Sequence, residues 1–194
     1  MSVNLLIVSF LVSLALAAVM GPIYIPLLRR LKFGQTVRDD GPQTHLQKTG
    51  TPTIGGLIFL TPVIVVGLVA FFTGMASEIL PLLFVTAGFG FVGFLDDFLK
   101  IIKKSKDGLF WYQKMAALFI VALAFAWYES AFNSGIENMI IEFFGKEITL
   151  DLGWVFIPFA ILVLISSTNA VNLTDGLDGL CAGNAFIVFF FFMA

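Results

Sequence analysis

Trp154-Val155-Phe156-Ile157-Pro158-Phe159-Ala160-Ile161-Leu162-Val163-Leu164-Ile165-Ser166-Ser167, followed shortly by Asn172-Leu173-Thr174-Asp175-Gly176-Leu177-Asp178-Gly179, sets an oily run against two carboxylates and a carboxamide. The run is long and apolar enough to lie in a bilayer, and ionisable groups at such a boundary are functional-site candidates. Asn172, Asp175 and Asp178 recur every three residues and would share one face of a helical turn. Gly176 and Gly179 invite a tight, irregular backbone instead. Either way, oxygen-bearing side chains gather where membrane meets water. The plain structural alternative is a helix cap, because Asp followed by Gly is common in turns.

Composition places the rest of the chain in the same solvent. Hydrophobic residues make up 59% of the sequence, charged residues 12%, and the mean hydropathy is +0.99, whereas soluble domains carry about 25% charged residues. The net charge of −2 and the clustering of the basic residues give no continuous cationic face for nucleic acid. The single cysteine, Cys181, allows no internal disulfide and no cysteine-based metal site, and reads as packing.

Apolar stretches at 3–28, 54–73, 79–95, 109–128 and 154–170 each approach the roughly 20 residues a helix needs to cross a bilayer. Five crossings are expected, with a sixth beginning near Ala182. From there to Ala194 a helix would rise only about 20 Å, so the chain is expected to be the N-terminal part of a longer protein. Ala15-Leu16-Ala17 looks like a signal-peptide cleavage site, but no Lys or Arg precedes it. Of eleven Lys and Arg, five lie between Arg29 and Lys48, five between Lys100 and Lys114, and Lys146 stands apart. The positive-inside rule then puts the N-terminus and the 129–153 loop outside, and the 29–53 and 96–114 loops in the cytoplasm together with the Asn172–Gly179 motif. In the external loop, Met139 to Phe144, Gly145-Lys146 and the alternating Glu147 to Leu152 predict a small β-hairpin capping the helix ends. The fold class is thus an all-α polytopic membrane protein with that one hairpin, as a single transmembrane domain over 1–194.

Two further constellations share the cytoplasmic side. The first loop ends in Gly41-Pro42-Gln43-Thr44-His45-Leu46-Gln47-Lys48-Thr49-Gly50-Thr51-Pro52-Thr53, where Thr51 as N-cap and Pro52 at the first helical position predict a helix start whose free N–H groups attract anions. Lys48 adds a charge for a phosphate; an ordinary juxtamembrane loop is the competing reading, and His45 reads as structural or solvated. The second is Asp96-Asp97-Phe98-Leu99-Lys100, followed by Lys103, Lys104 and Lys106. Neighbouring helical side chains diverge by about 100°, so one aspartate could ligate a cation while the other handles a proton. Mg²⁺ suits such a sparse site, since it takes few carboxylates and fills its shell with water and phosphate. An Asp96–Lys100 pair at i,i+4 is the structural alternative, and it leaves Asp97 without a role.

These stretches, in this order and in these loops, resemble the phospho-N-acetylmuramoyl-pentapeptide transferase family, within the superfamily of polyprenyl-phosphate N-acetylhexosamine-1-phosphate transferases. The first-loop string makes the combination specific and points away from the siblings that use UDP-N-acetylglucosamine. The resemblance implies a fold of roughly ten helices in the bacterial cytoplasmic membrane, a homodimer, and Mg²⁺-assisted transfer of phospho-MurNAc-pentapeptide from UDP-MurNAc-pentapeptide to undecaprenyl phosphate, giving UMP and lipid I for peptidoglycan synthesis. It makes Asp96 the base acting on the lipid phosphate and Asp97 a support of the metal–phosphate region. It assigns Lys48, Thr53, Asn172, Asp175, Gly176, Leu177 and Asp178 to the nucleoside-diphosphate pocket, and Lys100 and Lys114 to the phosphates. The family's principal Mg²⁺ ligand and a His-rich loop are expected beyond Ala194, so this stretch alone is expected to be inactive.

A sibling transferase using UDP-GlcNAc is one competing reading. A cation or proton transporter is another; it would place acids near the midplane, whereas Asp96, Asp97, Asp175 and Asp178 cluster at span ends.

Overall fold

A computed structural model describes residues 3–30, 53–103, 108–143, 146–176 and 179–193. Six helices and one hairpin follow in chain order: α1 (Val3–Arg30), α2 (Leu57–Phe72), α3 (Leu80–Lys103), α4 (Trp111–Phe132), β1 (Asn138–Phe143), β2 (Lys146–Asp151), α5 (Phe156–Thr174) and α6 (Leu180–Met193). They group into two compact units, Met1–Val121 and Ala122–Ala194, with the division falling inside α4.

Four helical stretches are long and apolar enough to cross a membrane: Leu5–Arg30, Ser77–Lys103, Trp111–Phe132 and Gly153–Thr174. The expected second crossing is helical over only 16 residues, about 24 Å of rise against a hydrocarbon core of about 30 Å. Its limits are set by backbone at both ends. Ile54 stands at φ 65° before the Gly55-Gly56 turn, and Gly74 at φ 71° follows the Thr73 cap. The Thr51-Pro52 pair lies outside the described residues; the first helix described after it begins at Leu57, with Gly56 as its N-cap. α3, in contrast, runs on past the apolar stretch ending at Leu95 and carries Asp96, Asp97, Lys100 and Lys103 as its last two turns.

In the first unit, small residues let helices approach closely. A methyl on Gly67 would meet Leu83, one on Gly90 would meet Leu60 Cδ1 at 2.7 Å, and one on Gly88 would meet Val121 Cγ1 at 2.7 Å. Leu83, Val85, Val92, Leu118 and Pro62 are buried there, and the Tyr24 and Thr61 hydroxyls lie 3.3 Å apart between α1 and α2. Large apolar side chains such as Phe59, Phe84 and Ile120 remain exposed, which suits helices that satisfy their own backbone polar groups and turn their side chains to lipid.

In the second unit, β1 and β2 pair antiparallel with Ile141 opposite Ile148 and Phe143 opposite Lys146. The hairpin lies where the alternation predicts it, with each strand beginning one residue earlier. β2 is exposed along its whole length. α5 ends at Thr174, Asp175 takes φ −78° and ψ 29°, and Gly179 at φ 81° precedes α6. Within the motif, Asn172–Thr174 close α5, Asp175 and Gly176 form a turn, and Leu177 and Asp178 lie outside the described residues. The Cys181 thiol packs 4.0 Å from the Val171 carbonyl oxygen.

Candidate active site

The last turns of α3 carry the densest polar cluster among the described residues of the first unit. Helical spacing puts Lys100 within reach of both acids at once: its Nζ is 2.9 Å from Asp96 Oδ2 and 3.0 Å from Asp97 Oδ1. Lys114, in the first turn of α4, closes on Asp96 Oδ2 from the other side at 3.6 Å. Asp96 is only 8% exposed. Its other oxygen, Oδ1, accepts the Leu109 backbone N–H at 2.9 Å. With two carboxylates and two ammonium groups, the cluster is electrically balanced, which a buried acid requires.

The chain around Leu109 is built to make that bond. Gly108 is buried against α3, and a methyl there would collide with the Asp96 backbone carbonyl oxygen and Oδ1 and stand 3.0 Å from its carbonyl carbon. Lys103 reaches across to the Gly108 carbonyl oxygen at 3.4 Å, and its ammonium lies 5.9 Å from the centroid of the Phe110 ring. The Phe110 N–H donates to Gln113 Oε1 at 3.2 Å, which caps the start of α4.

Asp97 looks the other way. Its Oδ2 accepts the Thr53 hydroxyl at 2.8 Å and the Ile54 N–H at 3.3 Å. Ile54 is 5% exposed and left-handed, a conformation that costs a residue with a Cβ about 1–2 kcal/mol and marks a genuine outlier for a β-branched side chain. The Asp96–Lys100 pair is therefore present as the structural alternative expects. Asp97 also has a role, in a residue far back in the sequence.

Thr53, Asp96, Asp97, Lys100 and Lys114 are thus brought together. Asn172, Asp175 and Gly176 belong to the second unit, where Asn172 is exposed on the end of α5 and Asp175 and Gly176 are exposed in the break after it. Lys48, Leu177 and Asp178, together with His45, Thr51 and Pro52, lie outside the described residues. The backbone donors Ile54 and Leu109, and the close approach of Gly108, were not legible in the sequence. Gly108, a lone glycine just before a helix, was the one available signal.

Among the described residues, no three His, Cys, Asp or Glu side chains come together to hold a metal. The oxygen chemistry of the acid pair suits Mg²⁺, but the arrangement does not. Both Asp97 oxygens already take donors, both Asp96 oxygens do too, and two lysines cancel the charge that would attract a cation. These residues alone do not form a resident metal seat.

What the cluster offers is an anion-facing edge. Lys100 and Lys114 side chains are 36% and 21% exposed, so each can present ammonium protons to a phosphate while Asp96 stays fixed between them.

The model of glycosyl transferase family 4 matches residues 79–194, more than half of the chain and the part that holds α3 and its acids. The chain belongs to that family. Over 183 residues it is 59% identical to a phospho-N-acetylmuramoyl-pentapeptide-transferase of Acetivibrio thermocellus, a match covering 94% of this chain and 54% of the relative. The protein of that name from Clostridioides difficile is 43% identical over 183 residues, 94% of this chain and 56% of its own length. That of Halalkalibacterium halodurans is 41% identical over 188 residues, 96% and 57% respectively. The chain spans about half the length of these curated relatives. Its apolar helices and its relatives together make it a multi-pass membrane protein.

Proposed function

We propose that the chain contributes the N-terminal part of a phospho-N-acetylmuramoyl-pentapeptide transferase of peptidoglycan synthesis. In this reading an oxygen of undecaprenyl phosphate attacks the sugar-bearing phosphorus of UDP-MurNAc-pentapeptide. The new P–O–P bond forms lipid I, and the bond to the uridylyl phosphate breaks to release UMP. The observation that carries the reading is the seat of Asp96, a buried acid gripped by Lys100, Lys114 and the Leu109 amide at the end of a membrane-crossing helix. A carboxylate so fixed can take the proton of the lipid phosphate, while the two lysines hold phosphate oxygens and offset the negative charge of both substrates.

Thr53, Lys48, Asn172, Asp175, Gly176, Leu177 and Asp178 are assigned to the uridine and diphosphate of the donor. Mg²⁺ belongs to the proposal as an ion carried in with that diphosphate. The clustering of Lys and Arg between 29 and 48 and between 100 and 114 supports a cytoplasmic site, with the N-terminus and the hairpin outside; the family resemblance adds the bacterial inner membrane and a homodimer. A cysteine replacing Thr149 should then react with impermeant maleimide added outside intact cells; labelling only after lysis would reverse the topology.

The deciding assay is UMP release by the full-length protein from UDP-MurNAc-pentapeptide, with UDP-GlcNAc as the rival donor. Asp96→Asn is expected to abolish turnover and Asp175→Asn to weaken donor use. Near-normal turnover in both variants would remove the assignment, and preference for UDP-GlcNAc would move the protein to the sibling class.

A further inference from the structure

The transfer reading gives Asp97 a place beside the reacting phosphates, but its hydrogen bonds describe a different task. Oδ2 takes two donors from consecutive residues at the end of the first loop, the Thr53 hydroxyl at 2.8 Å and the Ile54 amide at 3.3 Å, while Oδ1 faces Lys100 at 3.0 Å. Ile54 holds a left-handed backbone with its side chain buried. A β-branched residue does not adopt that conformation without something holding it there. Two such restraints are visible: the apolar burial of the side chain and the carboxylate that accepts its N–H. Immediately afterwards, the Leu57 N–H returns to the Ile54 carbonyl oxygen at 3.3 Å and α2 begins.

We propose that Asp97 is a positioning residue, whose carboxylate locks the Thr53–Ile54 bend onto α3 so that Thr53 is held in one fixed place beside Lys100. This rests on the transfer reading, because Thr53 is there part of the pocket for the nucleoside diphosphate. It changes the role of Asp97 from one at the metal and the reacting phosphates to one acting through Thr53. The chain gains an organising link between a loop and a helix 44 residues apart in sequence. Lys100 is shared by both acids, so the bend and the base are tied to the same ammonium group.

The link can be tested apart from catalysis. In full-length protein otherwise free of cysteine, including Cys181→Ser, the variant Ile54→Cys should react slowly with a soluble maleimide because the position is buried. Adding Asp97→Ala should speed labelling roughly tenfold or more, as expected when hydrogen bonds to a charged acceptor no longer hold a local opening shut. Unchanged labelling overturns the proposal.

The kinetic arm uses native Ile54. Asp97→Ala and Thr53→Val should each raise donor KM by roughly tenfold with a smaller change in kcat, and the double variant should be no worse than the poorer single one, because both break the same link. Asp97→Asn keeps an oxygen for Thr53 and Ile54 and should retain most donor affinity. Loss of kcat at unchanged KM in both Asp97→Ala and Asp97→Asn, or multiplicative losses in the double variant, would make Asp97 a reacting group and overturn the proposal. Wild-type enzyme that releases no UMP would instead sink the transfer reading, and the labelling result would then decide the bend by itself.

Discussion

Gly108→Ala is the most severe small change the site offers. The added methyl would lie inside contact distance of the Asp96 backbone carbonyl oxygen and of its Oδ1, and 3.0 Å from the carbonyl carbon. Two of those three atoms belong to the backbone of α3, so no rotamer change relieves the clash. The 108–109 segment must then either compress against the helix, at about 1–3 kcal/mol for overpacking, or back away and lose the 2.9 Å bond from Leu109 N–H to Asp96, a charge-assisted bond worth about 1.5–3 kcal/mol. Either route costs about 1–3 kcal/mol of stability. A shift of about 1 Å in a catalytic group lowers turnover by roughly a hundredfold, so UMP release should fall much further than the melting temperature suggests. The assay is turnover and thermal unfolding of the full-length protein in the same detergent. A Gly108→Ala protein with wild-type melting and wild-type turnover would show that the Gly108–Asp96 contact does not set the position of the acid.

Two comparisons follow from the same geometry. Lys100→Met removes contacts to both acids, whereas Lys114→Met removes only the longer one to Asp96; because Lys100 is partly solvated, the expected costs are about 1–2 kcal/mol and under about 1 kcal/mol. Equal melting temperatures, or a larger loss for Lys114→Met, would refute that ranking. On α3, Gly88→Ala meets the stiff, branched Val121 at 2.7 Å while Gly93→Ala meets nothing within 4 Å; the first should destabilise by about 1–2 kcal/mol and the second should be neutral or stabilising by up to about 1 kcal/mol through helix propensity. Loss of stability in Gly93→Ala alone would show that the α3–α4 contact is drawn wrongly.

The parts legible in the sequence are those that obey a single local rule. Apolar length gave the helices, and alternation from Met139 to Leu152 gave the hairpin. Spacing made Asp96–Lys100 an available pair, and the glycines of the Asn172–Gly179 motif left an irregular backbone open there. What escaped was set by partners distant in sequence. α2 begins at Leu57 just after an Ile54 that is turned left-handed and bound to Asp97. No propensity points to isoleucine for that conformation. Leu109 contributes its backbone N–H, which every residue except proline possesses, so no residue type could have announced it. The apolar stretch 54–73 is helical only over Leu57–Phe72, because hydropathy does not register the left-handed and glycine positions that bound the helix.

The connection between α3 and α4 is pinned at both edges, by Lys103 on the Gly108 carbonyl and by Asp96 on the Leu109 amide. Gly108 and Leu109 are thus held to the last two turns of α3 by one side chain each, so the end of α3 and the start of α4 move as one piece. Hydrogen exchange at the Leu109 amide should therefore report directly on whether that joint is closed.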